Sequence, residues 1–459
     1  MPSPGFTFAN PQPSPDDFDT FNPQDVLADS GVSTTPVPEP IPAPWRTPPT
    51  LSLDQVLDPT AVAQIQSSGS IVFHAAGDTG GVKEASRQFS VADALAADLS
   101  GKTYQSGCAA FFFHLGDVVY YFGQERYYYD QFYDPYRNYD GPIFAVPGNH
   151  DGVMYSGEPA KYSLAAFFNH FCTQAPAHSA AAAGVARTTM TQPGVYFTLD
   201  APFVKIIGLY SNTSEGATQG VISGGAAGTA QLTFLQQQLA TAVSQRAQGD
   251  HRALIIAIHH PPFTGSSQHV PSPAMLADID NACAQAGILP DLVLSGHAHL
   301  YERYTRSVQG TQMPFLVAGT GGYFNLSKFK TGSGGAVVKP PITGTDAKGN
   351  PLTLEYYDDA DWGFLRLTVS ASTLTGEFVA VSQPGGSTSV KDTFSLNLSK
   401  HLLTSGSSAP AQVPVKPKPA PAKPTPAKPK PKPAKPKKGA SKPKPGTVKP
   451  KPKKAAKAK

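Results

Sequence analysis

The sequence predicts an α/β domain with mixed sheets, and three observations carry the prediction. Several short apolar runs end abruptly in polar, glycine-containing turns. Segments with helical periodicity separate some of them, and paired apolar runs further on read as hairpins. Continuous apolar runs of this kind suit strands buried on both faces.

The strands come in order. "SIVFHAAGD" runs into Asp78, "AAFFFHLGD" into Asp117, and "PIFAVPGNHD" into Asn149 and His150. "RALIIAIHH" runs into His259, and "PDLVLSGHAH" into His297 and His299. In "TAQLTFLQQQLATAVSQ", Leu232, Leu235, Leu239 and Val243 recur at three- and four-residue steps, which predicts a helix capped by Thr229. "SPAMLADIDNACAQAG" sets Met275 or Leu276, Ile279 and Cys283 on one helical face, with Gly287 as its stop. "GVYFTLD" with "FVKIIGLY", and "WGFLRLTVS" with "TLTGEFVAV", read as hairpins. No internal repeat is present. Open α/β sheets gather ligands beyond the carboxyl ends of their strands. Here five strand ends are expected to deliver Asp, Asn, His and Tyr to one edge.

The flanks differ from this core. Residues 1–68 are rich in Pro, Ser and Asp and predict a mostly irregular extension, with only "LSLDQVLDPTAVAQI" hinting at an amphipathic turn. Residues 69–400 form the globular part. Residues 401–459 are a Lys, Pro and Ala tract whose alternating "KPKPKPAKPKK" favours polyproline II and excludes a packed core. Of the 37 Lys and Arg in the chain, 17 lie in this tract, which has no acidic residue. The remaining 20 face all 33 Asp and Glu, so an acidic body, net −13, carries a basic tail. No secretory signal and no membrane-spanning apolar run is seen, so a cytoplasmic location is the default expectation. Cys108, Cys172 and Cys283 are too widely spaced for a metal motif and read as small buried hydrophobes, with a Cys172–Cys283 disulfide left open.

The polar series is Gly77-Asp78-Thr79-Gly80, Gly116-Asp117-Val118-Val119-Tyr120, Gly148-Asn149-His150-Asp151, Ile256-Ala257-Ile258-His259 and Gly296-His297-Ala298-His299. Carboxylate, amide oxygen and imidazole are the ligands that hold two metal ions side by side for phosphoryl chemistry. A lone Gly-Asp or Gly-His-x-His is more often a turn with satisfied side chains. Five such blocks in this order are not. They resemble the calcineurin-like metallophosphoesterases, and within them the purple acid phosphatases. Common metallophosphoesterases carry a His two residues after the first Asp, where this chain has Gly80. The purple acid phosphatases have instead a tyrosine three residues after the bridging Asp, and Tyr120 stands there.

That resemblance implies a four-layer α/β/β/α sandwich with mixed sheets. It implies that Asp78, Tyr120 and His299 hold Fe(III), whose tyrosinate charge transfer colours the family. Asn149, His259 and His297 would hold Fe(II), Zn(II) or Mn(II), with Asp117 bridging. His150 would contact the phosphate and help protonate the leaving group, and His269 matches a substrate histidine. Read from the sequence itself, His260, ahead of two prolines, is placed to orient His259, and Asp151 reads as a turn or an orienting carboxylate. The implied reaction is hydrolysis of a small phosphomonoester by in-line attack of a metal-bound hydroxide, at acidic pH. A phosphodiesterase or nucleotide pyrophosphatase on the same site is the alternative. Although the family is often exported, no export signal is seen here.

The remaining candidates read as structural. His74 and His114 sit inside apolar strands, and His170, His178 and His251 are surface or packing residues. Arg303 ties a loop, and the tyrosines from Tyr127 to Tyr139 predict a packed amphipathic helix. The lysine tail suits non-specific, salt-sensitive contact with polyanions. It has no interleaved aromatics or reading motif, so specific nucleic-acid recognition is not expected. A third reading, a polyanion binder acting through the tail, is disfavoured by the intact polar series.

Overall fold

A computed structural model describes residues 41–404, apart from 82, 121, 153–162, 212–219, 225–227 and 384. All of these belong to the first of the chain's two compact units, Met1–Ala411. The N-terminal 40 residues and residues 405–459 lie outside the described residues, whereas the first residues of the expected tail are ordered, with Leu402–Thr404 pairing as a strand with Ser395–Asn397.

The first strands are β1 (Thr50–Ser52), β2 (Ser70–Ala76), β3 (Ala109–His114), β4 (Ile143–Ala145), β5 (Phe197–Ala201), β6 (Val204–Gly208), β7 (Ala253–Ala257) and β8 (Leu292–Ser295). They continue with β9 (Tyr301–Val308), β10 (Thr311–Ala318), β11 (Ile342–Thr345), β12 (Pro351–Asp358), β13 (Trp362–Ser370), β14 (Thr373–Val381), β15 (Thr388–Asn397) and β16 (Leu402–Thr404). The helices are α1 (Pro59–Ser68), α2 (Ser86–Leu99), the single turn α3 (Asn149–Gly152), α4 (Ala165–Phe171), α5 (Ala230–Ala247) and α6 (Pro273–Ala286).

The strands form two mixed sheets. One has nine strands in the order β1-β5-β6-β7-β8-β10-β9-β12-β11, the other seven in the order β16-β15-β14-β13-β2-β3-β4. The β2-β3-β4 and β6-β7-β8-β10 runs are parallel, and both expected hairpins, β5-β6 and β13-β14, are antiparallel. The sheets pack face to face through aromatic side chains. Phe113 of β3 stacks on Phe197 of β5 at 6.2 Å, and Tyr301 of β9 on Phe378 of β14 at 4.2 Å. Helices cover the outer faces. α2 packs on β13 and β14, and Gln238 of α5 accepts a hydrogen bond from Thr198 of β5 at 2.9 Å. The four-layer α/β/β/α arrangement follows.

Most local expectations have visible causes. Ser272 caps α6 by accepting the Met275 N–H, and Gly287 ends it in the left-handed conformation, with Met275, Leu276, Ile279 and Cys283 all buried. α5 starts after Thr229, whose side chain makes no capping bond, and Val243 is exposed rather than buried. The buried stripe runs instead through Gln231, Phe234, Leu235, Gln238 and Leu239, because two glutamines serve backbone and strand partners.

Order begins ahead of residue 69. β1 pairs with β5, and α1 starts on Pro59 with Asp58 accepting the Thr60 N–H, signals too local to lift a proline-rich average. The tyrosine segment is a 3₁₀ turn (Glu125–Tyr127) followed by a π-helical turn (Tyr129–Tyr133) rather than a regular amphipathic helix. All three cysteines are free thiols, so Cys172 and Cys283 are not joined. Among the described residues no helix is long and apolar enough to cross a membrane.

Candidate metal centre

The five polar blocks do not share one sheet edge. Asp78, Asp117 and Asn149 follow β2, β3 and β4 of the seven-stranded sheet, while His259, His297 and His299 follow β7 and β8 of the nine-stranded one. The carboxyl ends of the two parallel runs meet, and main-chain bonds stitch them together. Gly77 N–H donates to Ala318 C=O, and Tyr323 N–H to Asp78 C=O, each at 2.9 Å. Period-two and apolar-run patterns assign strands but not sheets, which is why one edge was expected.

Asp78, Asp117 and His297 adopt left-handed backbone at φ 57°, 55° and 66°. Such conformations cost about 1–3 kcal/mol each and collect at functional sites. The turns aim the side chains inward. Gly148 permits the approach of the GNH block, since a Cβ there would collide with Asp117 Oδ1.

The seven side chains sort into two triplets and a carboxylate. Tyr120 Oη lies 3.3 Å from Asp78 Oδ1 and 3.4 Å from His299 Nε2, and the last two are 3.4 Å apart. Asn149 Oδ1 lies 3.1 Å from both His259 Nε2 and His297 Nδ1. Asp117 Oδ2 is 3.4 Å from His259 Nε2, and the ligand atoms of Asp78, Asp117 and His259 all lie within 4.8 Å of one another. All seven residues are buried, Tyr120 completely.

This donor set fits metal ions. Separations of 3.3–3.4 Å are long for hydrogen bonds to a carboxylate or hydroxyl. They match ligand atoms that each sit ~2.1 Å from a shared ion, which are about 3.0–3.4 Å apart. The electrostatics agree. Burial works against charge on Asp117, yet His259 and His150 hold its carboxyl well below the usual range. Burial likewise opposes charge on His259, but Asp117 pulls that imidazole up to about 9. The carboxylates draw positive charge into a buried cluster. Burial and neighbouring imidazoles keep His297 and His260 well below the ordinary histidine value, and so neutral.

Neighbouring groups fix these side chains. His259 Nδ1 faces the Leu115 carbonyl at 2.8 Å, which can only accept, so Nδ1 carries a proton and Nε2 is the nitrogen that would give up its proton and offer a lone pair to a bound metal ion. Asp151 accepts N–H bonds from Val118, Val119 and Gly148, tying the Asp117 and Asn149 loops together. His260 both donates its main-chain N–H to Ser211 Oγ and faces that oxygen with Nδ1, each at 3.0 Å, and its ring lies 4.2 Å from that of His297. His150 donates its N–H to Asp117 Oδ1 at 2.9 Å and sets its ring 4.4 Å from Tyr120. His269, although ten residues past His259, comes to within 4.5 Å of His297 and 5.0 Å of His299, centroid to centroid.

Two residues were not singled out from the sequence. Tyr323 lies 4.4 Å from the Tyr120 ring and 4.3 Å from His299, at the end of a Gly-Thr-Gly-Gly turn that could have flagged it. Gln131 pairs with the Tyr120 main chain, and nothing local in the sequence announces it.

The other histidines and Arg303 are occupied elsewhere. His74 joins Tyr139 and Asp98, and His114 joins Thr79. His170 is buried, lying between Tyr133 and Glu125, whereas His178 and His251 are exposed. Arg303 makes two bonds to Asp392, linking β9 of one sheet to β15 of the other.

Residues 72–301, half of the chain, match the model of the calcineurin-like phosphoesterase family, and the chain belongs to that family. Membership implies metal-dependent phosphoester hydrolysis. No curated protein matches. Among solved structures, the chain is similar to GAP50, the anchor in the inner membrane complex of Plasmodium, at 16% identity and a TM-score of 0.46, covering 72% of this chain and 89% of that one. It is similar to PhoD at 14% identity and a TM-score of 0.46, covering 76% and 73%. For Vps29 of Cryptosporidium parvum the values are 11% and 0.29, covering 72% and 98%.

Proposed function

We propose that the chain is a binuclear metal-dependent phosphomonoesterase of the acid phosphatase type. One observation carries the reading. The Tyr120 hydroxyl stands 3.3 Å from Asp78 Oδ1 and 3.4 Å from His299 Nε2, beside a Gly80 that offers no ligand of its own. Asp78, Tyr120 and His299 would hold Fe(III), and Asn149, His259 and His297 would hold Fe(II), Zn(II) or Mn(II), with Asp117 shared. When bound, the ions neutralise phosphate charge and activate the attacking water.

The chain's own groups do the rest. His150, fixed through its main chain to Asp117, turns its ring toward Tyr120 and would give a proton to the departing alkoxide. His269, beside His297 and His299, would meet a phosphate oxygen. The lysine tail has no part in this reaction. Removal of residues 405–459 is expected to leave turnover of a small ester unchanged.

The test compares p-nitrophenyl phosphate with bis(p-nitrophenyl) phosphate across acidic and neutral pH. The protein is first stripped by chelation and then reloaded with iron plus zinc or manganese. Monoester turnover that rises on the acid side and returns only with metal supports the reading. Faster diester turnover at neutral pH would replace it with the phosphodiesterase alternative.

A further inference from the structure

We propose that Gln131 is the positioning residue that makes this a tyrosine-bearing metal site, an inference that rests on reading Tyr120 as a phenolate ligand. Gln131 is 1% exposed and sits in the π-helical turn Tyr129–Tyr133. Such turns are rare and frequent at functional sites, because the wider winding re-aims a side chain. Here the carboxamide is aimed at the main chain of Tyr120. Tyr120 N–H donates to Gln131 Oε1 at 2.9 Å, and Gln131 Nε2 donates to the Tyr120 carbonyl at 3.1 Å. Both functions of one side chain are thereby used on one residue, as a neighbouring strand would use them.

The clamp is anchored at its other end. Gln88, itself fully buried, donates to the Gln131 carbonyl at 2.6 Å and reaches Thr79 Oγ1 at 3.4 Å. Thr79 Oγ1 lies 2.8 Å from His114 Nε2, and His114 Nδ1 accepts the Gly116 N–H at 3.2 Å. Nδ1 is therefore the acceptor and Nε2 the donor. Burial pushes His114 down to about 3, so it stays neutral. This chain of bonds ties Gln131 to the turns that present Asp78 and Asp117.

Gly80 completes the argument. A Cβ at that position would collide with Gln131 Oε1 and lie 2.6 Å from Tyr120 Cδ2. The clamp and the Tyr120 ring therefore occupy the volume that a side chain at position 80 would need. A ligand from position 80 and a clamped Tyr120 are alternatives.

The experiment compares wild type, Gln131→Leu, Gln131→Glu and Tyr120→Phe in the full-length chain, reconstituted with iron. Three quantities are read: iron affinity, the visible band per bound iron, and hydrogen exchange of the Tyr120 amide in the metal-free protein. Leucine removes both bonds. Glutamate keeps the acceptor but faces the Tyr120 carbonyl with a second oxygen. Partners that orient a ligand typically change metal affinity about 10- to 100-fold when lost, and that weakening is expected for Gln131→Leu. It should come with a shifted or weakened band and a faster-exchanging amide, and Gln131→Glu should fall between.

A wild-type band left unchanged in position and strength by Gln131→Leu overturns the role of Gln131 while leaving Tyr120 as a ligand. If Gln131→Leu does not fold, Gln131→Glu decides on the same criteria. A wild type with bound iron but no band, indistinguishable from Tyr120→Phe, overturns both readings.

Discussion

A side chain on Gly80 and the ring of Tyr120 cannot share the same space: a Cβ built on Gly80 would lie 2.6 Å from Tyr120 Cδ2. Two positions 40 residues apart in sequence thus depend on each other. Gly80→Ala is expected to push the phenol away from Asp78 and His299. Overpacking a close-packed interior costs about 1–3 kcal/mol. A lower melting temperature together with a lost or weakened visible band is the expected result. An alanine variant with unchanged melting and spectrum would mean that the contact is soft.

His150 supplies the second prediction. If its ring protonates the departing oxygen, His150→Ala should lower kcat by about 10²–10⁴-fold for an alkyl phosphate. The loss should be much smaller for p-nitrophenyl phosphate, whose leaving group needs little protonation. Equal losses on both substrates would assign His150 to phosphate binding alone.

Glu302 links stability to pH. It is fully buried, accepts the Gly265 N–H at 2.7 Å and the Tyr304 hydroxyl at 3.1 Å, and so holds the loop that leads to His269. Burial pushes its carboxyl from 4.5 up to about 7. A raised carboxyl binds its proton more tightly in the folded state. The stability it contributes is therefore fully present below the unfolded value and is lost as pH rises through about 7. The loss amounts to about 3 kcal/mol at 1.36 kcal/mol per pH unit. Glu302→Gln keeps an acceptor and cannot ionise, so its melting temperature should fall less between acid and neutral pH than that of wild type. Parallel profiles would show that Glu302 is ionised without penalty.

What the sequence could reveal followed the range of each signal. Apolar runs ending in Gly-Asp, Gly-Asn-His and Gly-His-x-His marked β2, β3, β4, β7 and β8, because burial on both faces leaves a continuous pattern. The caps of α6 were readable because Ser272 and Gly287 act within one turn. The division of those strands between two sheets was not readable, since it depends on pairings such as β2 with β13, about 300 residues apart.

Side chains with a job in distant packing were also hidden. Gln231 and Gln238 are buried polar residues on a face that periodicity assigned to leucines and Val243. Gln131 and Tyr323 reach the centre only through tertiary contact. The segment around β1 and α1 was diluted by its proline-rich surroundings.

The measurement that bears most directly on the central claim is a visible absorption spectrum of the purified protein, with metal analysis on the same sample and on Tyr120→Phe. The account predicts bound iron and a broad band in the green-to-yellow region that disappears in Tyr120→Phe. An active, colourless protein carrying manganese or zinc and no iron, with activity indifferent to Tyr120→Phe, would contradict it and reduce Tyr120 to a packing residue.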